Sequence, residues 1–195
     1  LKKIIKNDID ENTNIDDYLK IQLSKNVYSY INTLYGKYLE SYIIEQYSSE
    51  NCKIYDKISF KFKEIAKYKN YSLVLFGKID GMSENGTVIE IKNRMHKFFN
   101  EVREYEWIQI QSYLELYNLD KGEIVEYLEN NDINIHEILR NQKYWNENLL
   151  TQVNNYFKIF IDLISKNKHK KYFDLSKNEQ VEYIKKEIRI LELIN

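Results

Sequence analysis

The sequence has no proline, one cysteine (Cys52), one alanine (Ala66) and five glycines among its 195 residues. Without proline, neither a polyproline segment nor a proline-kinked helix is available. A lone cysteine excludes an intrachain disulfide and any four-cysteine zinc or iron–sulfur site built by this chain alone. No run of eighteen uncharged apolar residues occurs, which excludes a membrane-spanning helix. The lysine-rich N-terminal segment never becomes a hydrophobic block, so nothing reads as a signal peptide. The expected setting is intracellular: cytoplasm, nucleus or a virus-infected host cell, and not secretion.

What is present supports a packed core. The apolar share is 43% and the aromatic share 14%, enough to fold most of the chain. A formal net charge of −1 argues against a wholly basic nucleic-acid wrapper, although local patches rather than totals set the field. Lys, Ile, Asn and Tyr abound while Ala and Arg are scarce, a bias expected of an AT-rich genome such as a virus, a protist or a reduced bacterium. The length suits a single domain over 1–195, with a core at about 27–130 and a helical extension at about 133–195. A chain opening on Leu1 reads as a domain excised from a longer protein.

Periodicity places the elements. A short helix is expected at 15–24 and a longer one at 27–47, with Val27, Ile31, Leu34, Tyr35, Tyr38, Leu39, Tyr42 and Ile43 on its apolar face. Gly36 inside that helix costs about 1 kcal/mol relative to Ala, which suggests close packing there. Ile54, Ile58, Phe60 and Phe62 alternate as the inward side of a strand over 53–66. Residues 71–80 and 86–93 read as a hairpin turned at Asn85-Gly86, both of which tolerate positive φ. A helix follows at 101–119, stopped by Lys121-Gly122, and then a strand at 123–128. From Ile135 to Lys166 the spacing is helical. Ser176 and Glu179 form a capping box for a last helix.

The chemistry concentrates between Phe76 and Tyr113. Residues i and i+2 of a strand share a face, so Glu90 and Lys92 project together. The hairpin brings Asp80 towards Glu90. Two carboxylates and a lysine then converge as a divalent cation and an activated water require. Asp80 and Glu90 are the candidate ligands of Mg²⁺ or Mn²⁺, with the Ile91 carbonyl as a further oxygen. Lys92 would orient the water or stabilise charge on the phosphorane.

These residues resemble the PD-(D/E)xK nuclease superfamily, and most closely its phage-type exonuclease branch (lambda exonuclease and YqaJ-like recombinases, with RecB-like relatives). Gly36-x-x-x-Glu40 resembles the acidic motif of the first helix, and Gly77-Lys-Ile-Asp80-Gly81 the second motif. Val88-Ile-Glu90-Ile-Lys92 resembles the E-x-K strand, and Gln109-x-x-x-Tyr113 the Q-x-x-x-Y helix. The name-giving proline is replaced by Ile79. The resemblance implies an α+β fold with a restriction-endonuclease-like αβββαβ core, a mixed sheet flanked by helices. By the same resemblance Glu40 completes the metal site, directly or through water, with Glu45 as its competitor. Gln109, or Gln111 in its place, holds the lysine or a phosphate oxygen, and Tyr113 contacts the DNA backbone.

After the E-x-K strand, Arg94, Lys97 and Arg103 are candidate phosphate contacts, the alternative being a solvated loop. Lys166–Lys171 reads as a solvated basic loop, and His96, His136 and His169 as incidental. The implied activity is a metal-dependent deoxyribonuclease, an exonuclease acting in recombination, repair or replication of single- or double-stranded DNA. An endonuclease of the same superfamily, on DNA or RNA, and a non-catalytic nucleic-acid-binding module are the competing readings. Some exonucleases of this branch form rings, so a homo-oligomer, or further domains of a longer protein, are the protein partners implied.

Overall fold

The computed structural model describes residues 2–50, 54–55, 58–94, 96–128 and 132–194. The chain is an α+β protein, with a mixed sheet flanked by helices. Its elements are α1 (Lys2–Asp10), α2 (Asp17–Glu50), β1 (Ile54–Tyr55), β2 (Lys61–Tyr68), β3 (Tyr71–Gly77), β4 (Gly81–Ser83) and β5 (Val88–Arg94). They continue through α3 (Glu104–Tyr117), β6 (Lys121–Leu128), β7 (Ile133–Leu139), α4 (Gln142–Tyr144), a π turn (Trp145–Leu149), α5 (Leu150–Ser165), α6 (His169–Phe173) and α7 (Lys177–Ile194). Five strands form one sheet in the order β1-β4-β5-β6-β7, and β2-β3 is a separate two-stranded sheet.

The strands expected at 53–66, 71–80 and 86–93 do not line up in one sheet, because 71–80 falls largely in β3 of the separate ribbon and the unexpected β4 stands beside β5. Helix α2, strands β1, β4 and β5, helix α3 and strand β6 follow one another as αβββαβ, with the β2-β3 ribbon set between β1 and β4. The chain forms two interleaved compact units, the first of residues 1–58, 80–101 and 123–136, the second of 59–79, 102–122 and 137–195. In the first unit Ile43, Ile44 and Tyr47 of α2 pack on Ile89 and Ile91 of β5 and Val125 and Tyr127 of β6. Alternation along a strand then sends Glu90, Lys92, Arg94 and Glu126 to the opposite face.

Several expected elements are corrected. The helices at 15–24 and 27–47 are one helix of 34 residues, preceded by α1. Leu34, Tyr38 and Tyr42 on the expected apolar face are exposed, and the Tyr35 side chain lies outside the described residues. A Cβ on Gly36 meets nothing within 4 Å, so close packing does not explain that glycine. Strand β3 pairs with β2 and not with β5, in the register Phe62↔Phe76. Phe60 and Phe62 therefore face outwards, while Lys63 reaches Glu115 and Lys61 lies 4.8 Å over the Tyr117 ring. Residues 53 and 56–57 of that expected strand lie outside the described residues.

The hairpin that carries the E-x-K strand is β4-β5, with Gly81↔Ile89 and Met82↔Val88 opposed. Only Gly86 takes a positive φ (77°), and Ser83 N donates to Thr87 O at 3.0 Å. The turn is thus a three-residue loop ending in a left-handed glycine, not a two-residue Asn-Gly turn. Helix α3 is stopped by Asn118 in the left-handed region (φ 55°), whose N–H reaches Leu114 O, while Lys121-Gly122 opens β6 instead. Residues 135–139 lie in β7, and the helix begins only at Gln142, where the Asn141 side chain accepts from Tyr144 N at 2.9 Å. Trp145 then enters the core, 6% exposed. The capping box forms as expected, Ser176 N donating to Glu179 Oε2 at 2.8 Å.

Candidate functional site

The first unit brings Asp80, Glu90, Ile91 and Lys92 together. Asp80 stands immediately before β4, and continuing the β4-β5 register past the Gly81–Ile89 pair sets it opposite Glu90. Its carboxylate turns onto the neighbouring strand, where Oδ2 accepts from Ile91 N at 2.9 Å. That bond anchors Asp80 at the residue between the glutamate and the lysine. Glu90 is buried at 5% exposure, and Lys92 Nζ donates to its Oε1 at 2.8 Å. The i, i+2 spacing therefore produces a charge pair on the sheet face away from α2, with the lysine the more exposed partner.

Glu40 does not join them. Among the described residues no three Asp, Glu, His or Cys side chains are gathered to hold a metal ion. The physical reason is the sheet itself: α2, which carries Glu40, packs on the face of Ile89 and Ile91, and Glu90 projects from the other. Glu40 is nonetheless half-buried whereas Glu45 is exposed. The pair that does converge suits a hard divalent cation. Magnesium is commonly held by one or two carboxylates, with waters and substrate phosphate completing the octahedron. Asp80 and Glu90 supply such a pair, and the Ile91 carbonyl is a further oxygen of the same kind.

Arg94 is corrected more sharply. Its Nε donates to Glu126 Oε1 at 2.7 Å, its guanidinium lies 4.4 Å over the Phe99 ring, and its side chain is only 11% exposed. The guanidinium is thus built into a buried cluster instead of a solvated loop. Glu126 is the centre of that cluster at 0% exposure. Its Oε2 accepts from Asn134 Nδ2 at 3.0 Å and from Phe99 N at 3.2 Å, and lies 3.1 Å from His136 Nε2. Burial pushes the Glu126 carboxyl up, but the bonds from Asn134, Arg94, His136 and Phe99 outweigh it and hold the group below its ordinary value. His136 is therefore a member of a network, not incidental. Sequence reasoning missed Glu126, although a glutamate in the middle of the apolar run Ile124-Val125-Glu126-Tyr127-Leu128 is itself a signal for a buried partner.

The remaining candidates belong to α3 and its flanks. Gln109 Nε2 donates to Tyr113 Oη at 3.2 Å, both side chains half-buried. Gln111, its competitor, is 1% exposed and spent on structure: Nε2 donates to Leu139 O at 2.9 Å and Oε1 accepts from Asn141 N at 2.8 Å. Arg103 is exposed at the start of α3, donating to Tyr105 Oη at 2.9 Å, and Lys97 is exposed. Tyr113 also explains Gly77, since a Cβ there would lie 3.0 Å from Tyr113 Cε1. Gly77→Ala is expected to destabilise the protein by about 1–3 kcal/mol through this overpacking, read from urea midpoints. A neutral result would mean that the Tyr113 ring yields freely.

No family model matches the chain, and no curated protein matches it. Among solved structures it is similar to the crystal structure of SSO0001, at 22% identity and a TM-score of 0.49. The match covers 63% of this chain and 59% of that one, so the chain spans less than two thirds of that structure's length. Among the described residues no helix is long and apolar enough to cross a membrane.

Proposed function

We propose that this chain is a metal-dependent nuclease of the PD-(D/E)xK kind that hydrolyses phosphodiester bonds in DNA. The observation that carries the reading is the bond from Ile91 N to the Asp80 carboxylate, which seats one acid beside a buried Glu90 already paired with Lys92. Asp80, Glu90 and the Ile91 carbonyl are the groups that would hold Mg²⁺ or Mn²⁺, a set from which Glu40 is withdrawn because α2 lies on the other face of the sheet. A bound ion of this charge polarises the scissile phosphate and lowers the pKa of a coordinated water. Glu90 holds Lys92 in place, and Lys92 presents its ammonium to the oxygens that gain charge as the phosphorane forms. Lys97, Arg103, Gln109 and Tyr113 are the proposed contacts to the DNA backbone, a list from which Arg94 is withdrawn because Glu126 holds it.

Exonuclease action in recombination, repair or replication rests on the motif resemblance. The test is digestion of 5′-phosphorylated linear duplex, the matching single strand and closed circular DNA with Mg²⁺, Mn²⁺ or EDTA. Metal-dependent loss of linear but not circular DNA is expected. Cutting of circles would replace exonuclease by endonuclease, and tight binding without cleavage of any substrate would overturn the nuclease reading.

A further inference from the structure

The C-terminal helices, within the second unit, hold a feature that the proposed active site does not use. Leu163 of α5, Tyr172 of α6 and Ile159 form a small core, against which Leu175, Tyr183, Ile184 and Ile188 pack. That core does not close completely. It leaves a cavity of about 370 Å³ lined by Leu163, Lys168, Lys171, Tyr172, Leu175 and Tyr183. The volume falls in the range of small-molecule sites, which begin at roughly 300 Å³.

Its chemistry is two-sided. The walls are aliphatic and aromatic, and the Tyr172 and Tyr183 rings meet edge to face with centroids 5.6 Å apart. The lining includes two lysines and no carboxylate. Lys168 and Lys171 are exposed and form no ion pair among the described residues, unlike Lys69 and Lys166, which both reach Asp162. Asp162 and Glu187 line a smaller cavity that adjoins this one and shares Leu163, Lys168 and Tyr183 with it, so the acids lie beyond Lys168 and the Lys171 side is the less acidic end. Burial raises the Tyr172 and Tyr183 phenols above their ordinary values, Tyr156 adding to the first and Glu187 to the second.

We propose that this crevice binds a nucleotide, its base against Tyr172 and Tyr183 and its phosphate on Lys168 and Lys171. An apolar ring carrying a nearby anion satisfies both halves of the lining, and base–aromatic stacking tolerates any base sequence. The basic run Lys166–Lys171 is then the cationic edge of a binding site. The inference is independent of the catalytic reading, because it uses none of Asp80, Glu90 or Lys92.

The test uses the full chain in EDTA, with thymidine 5′-monophosphate, a twelve-residue oligothymidine and an abasic strand of equal charge as probes. Calorimetry follows the mononucleotide and fluorescence anisotropy the strands. The wild type is expected to favour oligothymidine over the abasic strand about fivefold or more. Lys168→Ala with Lys171→Ala should weaken oligothymidine about tenfold and flatten the salt dependence by about 1.4 in log–log slope. Tyr183→Leu, checked for native circular dichroism, should erase the preference for bases, and Lys92→Ala should leave that preference intact. Loss of mononucleotide binding in the lysine double variant identifies a site open to free nucleotides, and loss of strand binding alone identifies a site for a nucleotide within a strand. Equal binding of the abasic strand, an unaffected lysine double variant, or lysine-dependent binding to anionic phospholipid vesicles in place of nucleotides would overturn the proposal.

Discussion

Lys92→Ala is expected to lower DNA cleavage by about 100- to 1,000-fold or more while the protein remains folded and bound to DNA. Lys92 is more exposed than Glu90, whose Oε1 accepts from its ammonium at 2.8 Å. Removing the ammonium takes away the positive charge placed beside two carboxylates, where the phosphate must gain negative charge as water adds. It also leaves Glu90 buried without that bond, so stability must be measured alongside activity. Asp80→Asn provides the independent check. It keeps an acceptor for Ile91 N but discards the charge, so it should lose activity with little change in urea midpoint. If Lys92→Ala and Asp80→Asn both cleave DNA at wild-type rates, the site assignment is wrong.

Glu126→Ala should be the most destabilising single change, at about 3–5 kcal/mol, because Arg94 would remain buried without its carboxylate. Asn134, His136 and Phe99 N lose the same acceptor, which adds to the cost. Replacing the pair together, Arg94→Met with Glu126→Leu, should recover most of the loss, since two apolar side chains leave no buried charge. The pH dependence has a definite sign. The folded-state pKa of Glu126 lies below its ordinary value of 4.5. Its contribution is therefore fully present above pH 4.5 and is lost as pH falls through the lower folded-state value. The difference in urea midpoint between wild type and Glu126→Gln should shrink from pH 6 towards about pH 3. A constant difference would show that the Glu126 charge contributes nothing. Taking wild type minus variant removes the other depressed carboxylates, Glu64, Glu115, Asp162, Glu179 and Glu182, from the comparison.

Arg94 and Glu126 also show where sequence reading stops. Arg94 follows Lys92 in a basic run, and nothing local separates a phosphate contact from a buried ion pair. What decides is β6 and β7, which deliver Glu126, Asn134 and His136 from more than thirty residues away. Strand β3 teaches the same lesson. Its apolar run is plain, but it could pair forwards with β5 or backwards with β2. The two-residue connection at Lys69-Asn70, with Lys69 at a φ of 53°, makes β2 the partner. In β7 the apolar residues Ile135, Ile138 and Leu139 fit helical spacing as well as they fit the sheet. Only pairing at the edge of the sheet makes a strand of them.

The sequence by itself determined the α+β class, the E-x-K strand with its glycine turn, the shared face of Glu90 and Lys92 and the Ser176–Glu179 cap. Each depends on residues within a few positions of one another, where strand alternation or helix-end hydrogen bonding leaves little choice. The tertiary structure alone decided that Glu40 stands apart from Asp80 and Glu90, that Gln111 is structural while Gln109 meets Tyr113, and that Arg94 is buried against Glu126. Those outcomes turn on which face of a sheet a helix covers and which distant strand lies alongside, and the free energy that selects them comes from burial summed over many residues, which no local spacing encodes.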